Sequence, residues 1–338
     1  MNIVYLIGNG FDVNLGLKTE YSHFYNYYLG LESPNENVAK LKKAISKYEG
    51  TELWKDLEIA LGQITAEYEN ASDFIEALDD ISDNLLLYIK SEQERIYTNE
   101  QGSTVFIRDI AHPTLHIPNA AKVRVKTFLE KWATSHWKTD IITFNYTNIL
   151  DGLTRINIGQ DIGPHHLNYP NKLSSITHVH GRYDDTILLG VDNVEQIANE
   201  HFRTNEDLLE IFVKPVANKA MDMLIDETCA NLINNASLIV TFGLSFGPTD
   251  KIWRERIKDR LKTQNSRMII FDYVKYIDNT PNRKTRTKSY RRKTCNNLFG
   301  EDADSLSEYI DYALNTDMFK LKELLQREEH QSTYVLTA

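Results

Sequence analysis

The sequence has little cysteine, and its two cysteines, Cys229 and Cys295, lie far apart. Two such residues provide neither a disulfide framework nor a zinc site of four thiolates, so the composition suits a reducing compartment. Long apolar runs are also absent, because no stretch reaches the roughly 20 residues that cross a bilayer. We therefore predict a soluble, cytoplasmic protein with no membrane partner.

Positive charge is in deficit, with 38 Lys and Arg residues against 48 Asp and Glu residues. General nucleic-acid-binding proteins usually carry a basic surface, so the net charge of -10 argues against that class. Hydrophobic residues make up 41% of the 338 residues, which is enough for a core and excludes a disordered chain. The length allows one large domain or two.

Apolar, β-branched runs recur along the chain and predict buried parallel strands. The clearest are residues 2–7, 140–144, 237–242 and 268–271, and the weaker ones are 176–180 and 186–189. Apolar residues at spacings of three and four predict long amphipathic helices over 54–68 and 74–88. Strands that alternate with helices indicate an α/β fold with an open, mostly parallel Rossmann-like sheet.

We predict a single α/β domain over residues 1–338, with a helical insert at 30–135 and a helical segment at 300–338. Residues 51–100 of the insert carry ten more acidic than basic residues, which equals the net charge of the chain. This acidic segment is interpreted as a solvated helix face or as a partner surface. We expect it to govern assembly into a homo-oligomer or to restrain activity, and to stay outside the chemistry.

Two glycines flank Asn9 in the segment Gly8–Asp12, directly after the first predicted strand. Glycine lets the backbone turn sharply and approach a phosphate, so the segment fits a nucleotide-binding loop or a plain turn. A second segment, Thr143–Thr147, follows the next clear strand and has Asn145 at its centre. Such an asparagine can hold a ribose hydroxyl or a water, or it can cap a helix.

Two histidines alternate in His178-Val179-His180-Gly181, which places both imidazoles on one face of a strand. A metal site would need a third ligand, and no Asp or Glu stands at an evident spacing. We therefore expect a structural His178, an active His180 and no bound metal.

The segment Gly243–Gly247 matches the Gly-x-Ser-x-Gly pattern of serine hydrolases, with Ser245 at its centre. The only histidine after Ser245 is His330, in a charged C-terminal tail that is a poor place for a buried base. A Gly-x-Ser turn can equally contact a phosphate or a ribose. Hydrolysis through Ser245 is therefore a lesser alternative.

In this order, residues 6–12, 143–147, 178–181 and 243–247 with Asp250 resemble the AbiH family of abortive-infection anti-phage proteins. This family is similar in its motifs to sirtuin-like NAD-binding domains. The resemblance implies an NAD glycohydrolase that releases nicotinamide and ADP-ribose, with a phage-derived trigger as partner. The alternative is a sensor that binds NAD or a related nucleotide without cleaving it.

The resemblance also implies site residues. The catalytic positions are Asn145 and His180. The cofactor-binding positions are Gly8, Asn9, Gly10, Phe11, Asp12, Thr143, Gly243, Ser245, Asp250 and Asp272. Two residues depart from the sirtuin pattern, since Thr147 stands in place of an aspartate and Asn9 in place of a small alanine.

Asp272 follows the run 268–271, where a carboxylate can hold an adenosine ribose 2′-hydroxyl and make NADP the poorer ligand. Seven basic residues lie shortly after it, in 283–293. We expect this basic run to form a solvated loop, or to contact nucleic acid with Tyr290 stacking on a base. If it folds back on the site it could accept a 2′-phosphate, so the choice between NAD and NADP stays open.

Overall fold

The centre of the protein is a six-stranded sheet whose strands are all parallel. The computed structural model describes residues 1–163, 169–184, 187–221, 223–247, 250–275 and 284–325. The strands are β1 (Asn2–Ile7), β2 (Trp137–Thr143), β3 (Asn171–His178), β4 (Leu238–Phe242), β5 (Arg267–Asp272) and β6 (Ile310–Leu314). Their order is β3-β2-β1-β4-β5-β6, which confirms the predicted α/β fold with an open Rossmann-like sheet.

The direction of the strand order reverses between β1 and β4. In open α/β sheets, ligands bind beyond the carboxyl ends of the strands at such a crossover. The last residue of β1, Ile7, lies opposite Thr143 of β2 and Phe242 of β4. The loops after these three strands therefore leave the sheet side by side.

Helices cover both faces of the sheet. They are α1 (Gly10–Asn14), α2 (Tyr21–Leu29), α3 (Glu36–Ser46), α4 (Leu57–Ile64), α5 (Ala71–Gln93), α6 (Glu100–Ala111), α7 (Asn119–Leu129), α8 (Ile149–Thr154), α9 (Glu206–Phe212), α10 (Lys214–Ala220), α11 (Ile225–Asn234), α12 (Lys251–Lys262), α13 (Lys284–Phe299), α14 (Ala303–Leu306) and α15 (Lys322–Leu325). One face packs against α6, α7 and α8, and the other against α11 to α14. In the described part of the chain, no helix combines the length and the apolar character that a membrane span requires.

A separate apolar cluster joins α2 to α5 with α9 and α10, and we call these helices the helical layer. The region predicted as an insert at 30–135 is thus divided. Its first half builds the helical layer together with residues from 187–216, whereas α6 and α7 pack directly on the sheet.

The expected long helix over 54–68 is wrong, because α4 covers only residues 57–64. Asp56 caps α4 by accepting a hydrogen bond from the backbone N–H of Ile59 (3.1 Å), and short 3₁₀ turns lie on both sides. The second expected helix, over 74–88, is confirmed and extends over the whole of α5.

The basic run 283–293, expected as a solvated loop, is helical from Lys284 onward. Its helix α13 is held to the sheet side because Cys295, Leu298 and Phe299 are buried in the same cluster as β5 and β6. The high density of basic residues in 283–293 did not indicate that this segment is a helix that packs on the sheet.

The last segment, predicted as helical from residue 300, contains the strand β6. Asp311 interrupts the apolar pattern of β6, and its buried carboxylate accepts hydrogen bonds from Arg124 (2.5 Å) and Arg267 (2.8 Å). The weak candidate strand 186–189 is not a strand in its described part, where Ile187 forms only an isolated bridge with Gly181. Its first residue, Thr186, lies outside the described residues.

Candidate functional site

A cleft of about 1380 Å³ opens at the carboxyl ends of the strands, between the sheet and the helical layer. It exceeds the roughly 300–1,000 Å³ that is common for small-molecule sites, so it has room for a ligand of dinucleotide size. The predicted site residues that line it are Asn9, Gly10, Asp12, Asn145, His180, Gly243, Ser245, Asp250 and Asp272. The structure therefore brings nine of the predicted residues to one cavity.

Three predicted residues support the cleft from beneath and do not line it, namely Gly8, Phe11 and Thr143. Phe11 is fully buried, and its ring packs edge-on against Phe319 with 5.5 Å between the ring centroids. The Thr143 hydroxyl accepts a hydrogen bond from the backbone N–H of Asn145 (3.2 Å). Phe11 and Thr143 thus position the loops and have no contact with the cavity.

The loops after β1 and β4 touch each other through glycines. The backbone N–H of Gly10 donates to the carbonyl oxygen of Gly243 (2.9 Å). A Cβ atom on Gly10 would lie 2.5 Å from the Cα of Gly243, and Gly243 itself has a φ of +61°. These glycines are required for the contact between the two loops, in addition to any room that they leave for a phosphate.

Asn145 lies at the end of β2 with its side chain in the cleft and only 3% exposed. Its backbone is fixed on both sides, since the N–H donates to Thr143 and the carbonyl oxygen accepts from Nδ1 of His178 (3.2 Å). Its Oδ1 and Nδ2 atoms are buried and have no hydrogen-bond partner among the described residues. The loop is thus rigidly placed while its amide is left for a ligand.

His178 is hydrogen-bonded at both ring nitrogens, which is the structural role expected of it. Its Nε2 lies 2.8 Å from Oδ2 of Asp151, and that carboxylate also accepts from Arg182 (3.2 Å). This network ties the end of β3 to α8 and to the β2 loop.

His180 lies next to the aromatic rings of Phe144 and Tyr146, at centroid distances of 5.6 and 6.1 Å. Its side chain is buried, and Nδ1 has no hydrogen-bond partner in the described part of the chain. Burial, reinforced by the positive charge of Lys214, holds the pKa of His180 well below its usual value. The imidazole is therefore uncharged at neutral pH and can accept a proton.

Asp12 is 1% exposed and accepts a hydrogen bond from the hydroxyl of Thr147 (2.8 Å). Burial raises the pKa of Asp12 to about 7, although the Thr147 hydroxyl, the nearby Asn145 amide and the His178 charge favour the ionised form. Thr147, which stands where sirtuins have an aspartate, is thus a hydrogen-bond donor to a buried acid. Oδ1 of Asp12 has no described partner.

No local pattern in the sequence indicates the buried ion pair that lies at the cleft. Nζ of Lys214 donates to Oε2 of Glu58 (2.6 Å) and lies 3.7 Å from Oδ1 of Asp192. Burial raises the pKa of Glu58, and the positive charge of Lys214 opposes this rise. The partners are 156 residues apart in the chain, so only the tertiary fold reveals the pair.

Part of the acidic segment 51–100 reaches the site. Asp56, Glu58, Leu85 and Ile89 all line the cleft. The segment thus forms part of the wall of the cleft, although its residues were predicted to stay outside the chemistry. Helices α4 and α5 close one side of the cavity because their apolar faces pack against α9 and α10.

Ser245 is exposed in the cleft, and no described histidine donates or accepts a hydrogen bond at its hydroxyl. The neighbouring Phe246 has a φ of +52°, a conformation that non-glycine residues rarely adopt. Asp250 closes this loop, because its Oδ2 accepts from the backbone N–H of Gly247 (2.9 Å). His330, the only later histidine, lies outside the described residues.

The β5 end of the cleft has a different character. The carboxylate of Asp272 accepts hydrogen bonds from the backbone N–H of Tyr273 (2.7 Å) and from the hydroxyl of Tyr290 on α13. Arg254 of α12 and Lys293 of α13 line the cavity at this end. Arg254 was not predicted as a site residue, whereas Lys293 belongs to the basic run 283–293, for which contact with a 2′-phosphate was one of the alternatives.

Within the described ranges, no group of three or more His, Cys, Asp or Glu side chains is arranged to hold a metal ion. The site is a polar cleft with one uncharged histidine, buried acids and two cations.

The motifs that shape this cleft fall within one family match. A family model described as bacteriophage abortive infection AbiH matches residues 4–272. The chain belongs to the AbiH family. The match extends through β1 to β5 and ends at Asp272, so the AbiH region includes the strand-end loops and the helical layer, whereas α13 lies beyond it. A search of curated proteins found no match. The AbiH protein thus has bacteriophage abortive infection as its functional class.

Proposed function

We propose that this AbiH protein hydrolyses NAD to nicotinamide and ADP-ribose in the cleft, with Asn145 and His180 as catalytic residues. The observation that carries the proposal is that Oδ1 of Asn145 and Nδ1 of His180 are buried, have no hydrogen-bond partner among the described residues and belong to residues that line the cleft. A buried polar group without a partner costs about 1–3 kcal/mol. A ligand that supplies the partners would recover this loss.

Hydrolysis breaks the bond between C1′ of the ribose and the nicotinamide nitrogen. The bonding electron pair leaves with nicotinamide, the oxygen of a water binds C1′, and the water proton must be accepted by a base. We assign His180 as the group that accepts it, from the water or from a ribose hydroxyl, because its uncharged imidazole lines the cleft and its Nδ1 has no hydrogen-bond partner among the described residues. Asn145 has both a donor and an acceptor with which to orient the water and the ribose.

The remainder of a dinucleotide would lie along the strand ends. The touching loops after β1 and β4 offer Asn9, Gly10 and Ser245 to the pyrophosphate at the crossover of the sheet. This orientation, with nicotinamide towards β2 and β3, places the adenosine at β5. It is the orientation that the resemblance to sirtuin-like domains implies.

The test is release of nicotinamide from NAD by the purified full-length protein, with and without extract from phage-infected cells as a source of trigger. We expect Asn145→Ala and His180→Ala to lower the rate by at least about 100-fold, the usual scale for a lost acid–base group. The matched control is His201→Ala, since His201 is exposed and does not line the cleft. Full turnover in either site variant would refute the catalytic assignment.

The same experiment, with two additional measurements, distinguishes the hydrolase from two alternative functions. Binding of NAD by calorimetry without nicotinamide release under any condition would identify a nucleotide sensor. If Ser245 is only a contact residue, Ser245→Ala keeps substantial turnover, whereas covalent labelling of Ser245 by a fluorophosphonate would favour a serine hydrolase.

A further inference from the structure

The basic run of the sequence returns to the cleft in the folded protein. Lys293, Thr294 and Asn297 on one side of α13 line the cavity next to Asp272 and Tyr290. Among the described residues, two that line the cleft carry a permanent positive charge, Arg254 and Lys293, and both lie on the helices that flank β5. This end of the cleft is therefore suited to an anion.

Arg254 is fixed by a hydrogen bond and has a further N–H donor that the described residues do not satisfy. One terminal nitrogen donates to the carbonyl oxygen of Asn297 (3.2 Å), which fixes the guanidinium between α12 and α13. Its Nε atom is buried and has no hydrogen-bond partner among the described residues. A guanidinium has five N–H donors and binds phosphate well, so a phosphate oxygen in the cleft could satisfy the unpaired donor.

Asp272 is the acid that would oppose an anion at this end. Both of its oxygens already accept hydrogen bonds, one from the backbone of Tyr273 and one from the hydroxyl of Tyr290. These donors reduce the negative field of the carboxylate towards the cleft. They also compete with a ribose hydroxyl for the carboxylate that NAD recognition requires.

The distance along the sheet fits the adenosine end of a dinucleotide. From β2, which carries Asn145, to β5 there are three strand intervals. At a spacing of about 4.8 Å each, they span about 14 Å. With the nicotinamide ribose at Asn145, the adenosine ribose falls at β5, beside Arg254 and Lys293.

We infer that the β5 end of the cleft binds the 2′-phosphate of an NADP-type dinucleotide, with Arg254 and Lys293 as the phosphate-binding residues. The inference rests on the proposed function for the orientation of the ligand. It reverses the preference for NAD that Asp272 indicates in the sequence, because α13 supplies a tyrosine for the carboxylate and cations for the phosphate.

The test uses two probes without nicotinamide, adenosine 2′,5′-bisphosphate and ADP, in calorimetric titrations of the full-length protein. We expect the 2′-phosphorylated probe to bind at least tenfold more tightly than ADP. Lys293→Ala should remove most of this difference, because it weakens binding of the 2′-phosphorylated probe several-fold more than binding of ADP. The control Lys288→Ala, an exposed position of α13 that does not line the cleft, should preserve it.

Equal affinity for the two probes, or a preference that Lys293→Ala leaves intact, would overturn the inference. Nicotinamide release from NAD and from NADP is measured in parallel. Cleavage of NAD together with weaker binding of the 2′-phosphorylated probe rejects the 2′-phosphate site and keeps the hydrolase. Preference for that probe without cleavage of either dinucleotide keeps the phosphate site and rejects the hydrolase.

Discussion

The two ends of the cleft use charge in opposite ways. At the β2 and β3 end the charged groups are buried and compensate one another, as Glu58 and Lys214 do. At the β5 end Arg254 is partly buried and Lys293 is exposed, and both line the cavity. The first arrangement shifts pKa values and suits proton transfer, whereas the second leaves cations available to bind an anion.

Desolvation explains the difference. An ionised group inside a protein loses its hydration, so the interior favours neutral forms and close pairs. The pKa of Asp12 rises to about 7 and that of His180 falls, in both cases mainly through burial. Asp12 therefore exchanges its proton near neutral pH, whereas the imidazole of His180 stays uncharged there. A partly hydrated cation keeps its charge, and its role is then recognition.

The largest effect should follow from breaking the buried pair. Lys214→Met leaves the Glu58 carboxyl in an apolar setting without its partner, and we expect a loss of about 3–5 kcal/mol in the free energy of unfolding. Urea denaturation at pH 7 measures it. At the other end of the cleft, Lys293→Met should change stability by no more than about 0.5 kcal/mol because Lys293 is exposed.

A double variant, Glu58→Gln with Lys214→Met, separates charge from packing. It removes both charges, so we expect it to recover part of the loss seen in Lys214→Met. A double variant that is less stable than Lys214→Met would show that the two side chains stabilise the fold mainly through packing and not through their charges.

The second prediction concerns pH. The pKa of Asp12 is about 7 in the folded chain, whereas its ordinary value is 3.8, so between these two pH values the folded state binds more protons than the unfolded state. This contribution to stability is present at low pH and is lost as the pH rises towards 7. Between pH 5 and 7 it amounts to about 2 kcal/mol.

Asp12→Asn cannot release a proton and should remove this part of the pH dependence. The measurement is the difference in unfolding free energy between the wild type and the variant at pH 5 and at pH 7, which cancels the contributions of other acids. A difference that is the same at both pH values would contradict the assignment.

The sequence was informative where local pattern determines structure. The apolar runs of β1, β2, β4 and β5 are visible because central parallel strands are buried on both faces. The strand ends then indicated Asn145, His180 and Asp272, since the carboxyl ends of parallel strands share one edge. Residues that meet only through tertiary contacts were not accessible, as Glu58 and Lys214 show.

The sequence patterns also failed to predict elements in which charged residues interrupt the apolar pattern. The edge strand β6 contains Asp311, whose charge is compensated by arginines far away in the chain. The basic helix α13 exposes most of its charged residues, and its buried contacts lie near its end, at Cys295 and Leu298. In each case a long-range contact stabilises a segment whose own composition suggests another structure.

The third prediction concerns the contact between the loops after β1 and β4, which lies between the two ends of the cleft. Gly243→Ala places a Cβ atom 2.6 Å from Gly10 and also strains a φ of +61°, so we expect a loss of about 1–3 kcal/mol in stability. Gly300→Ala is the control, because Gly300 has a φ of +56° but no neighbour within 4 Å of a Cβ. Equal losses of stability in the two variants would mean that the contact between the loops does not contribute to the free energy of unfolding.

The smallest effect is expected from Tyr290→Phe, which removes the hydroxyl that donates to Asp272 and keeps the ring. The loss of one hydrogen bond should lower stability by about 1 kcal/mol. The carboxylate then presents more negative charge to the cleft, which favours a ribose hydroxyl and disfavours a phosphate. The affinity for ADP, relative to that for adenosine 2′,5′-bisphosphate, should therefore rise a few-fold in calorimetric titrations.

Tyr273→Phe is the matched control, since Tyr273 lines the same end of the cleft but is 78% exposed. A ratio of affinities that moves the other way in Tyr290→Phe would show that the Tyr290 hydroxyl contacts the phosphate itself, and that the capped carboxylate has no part in the choice of ligand.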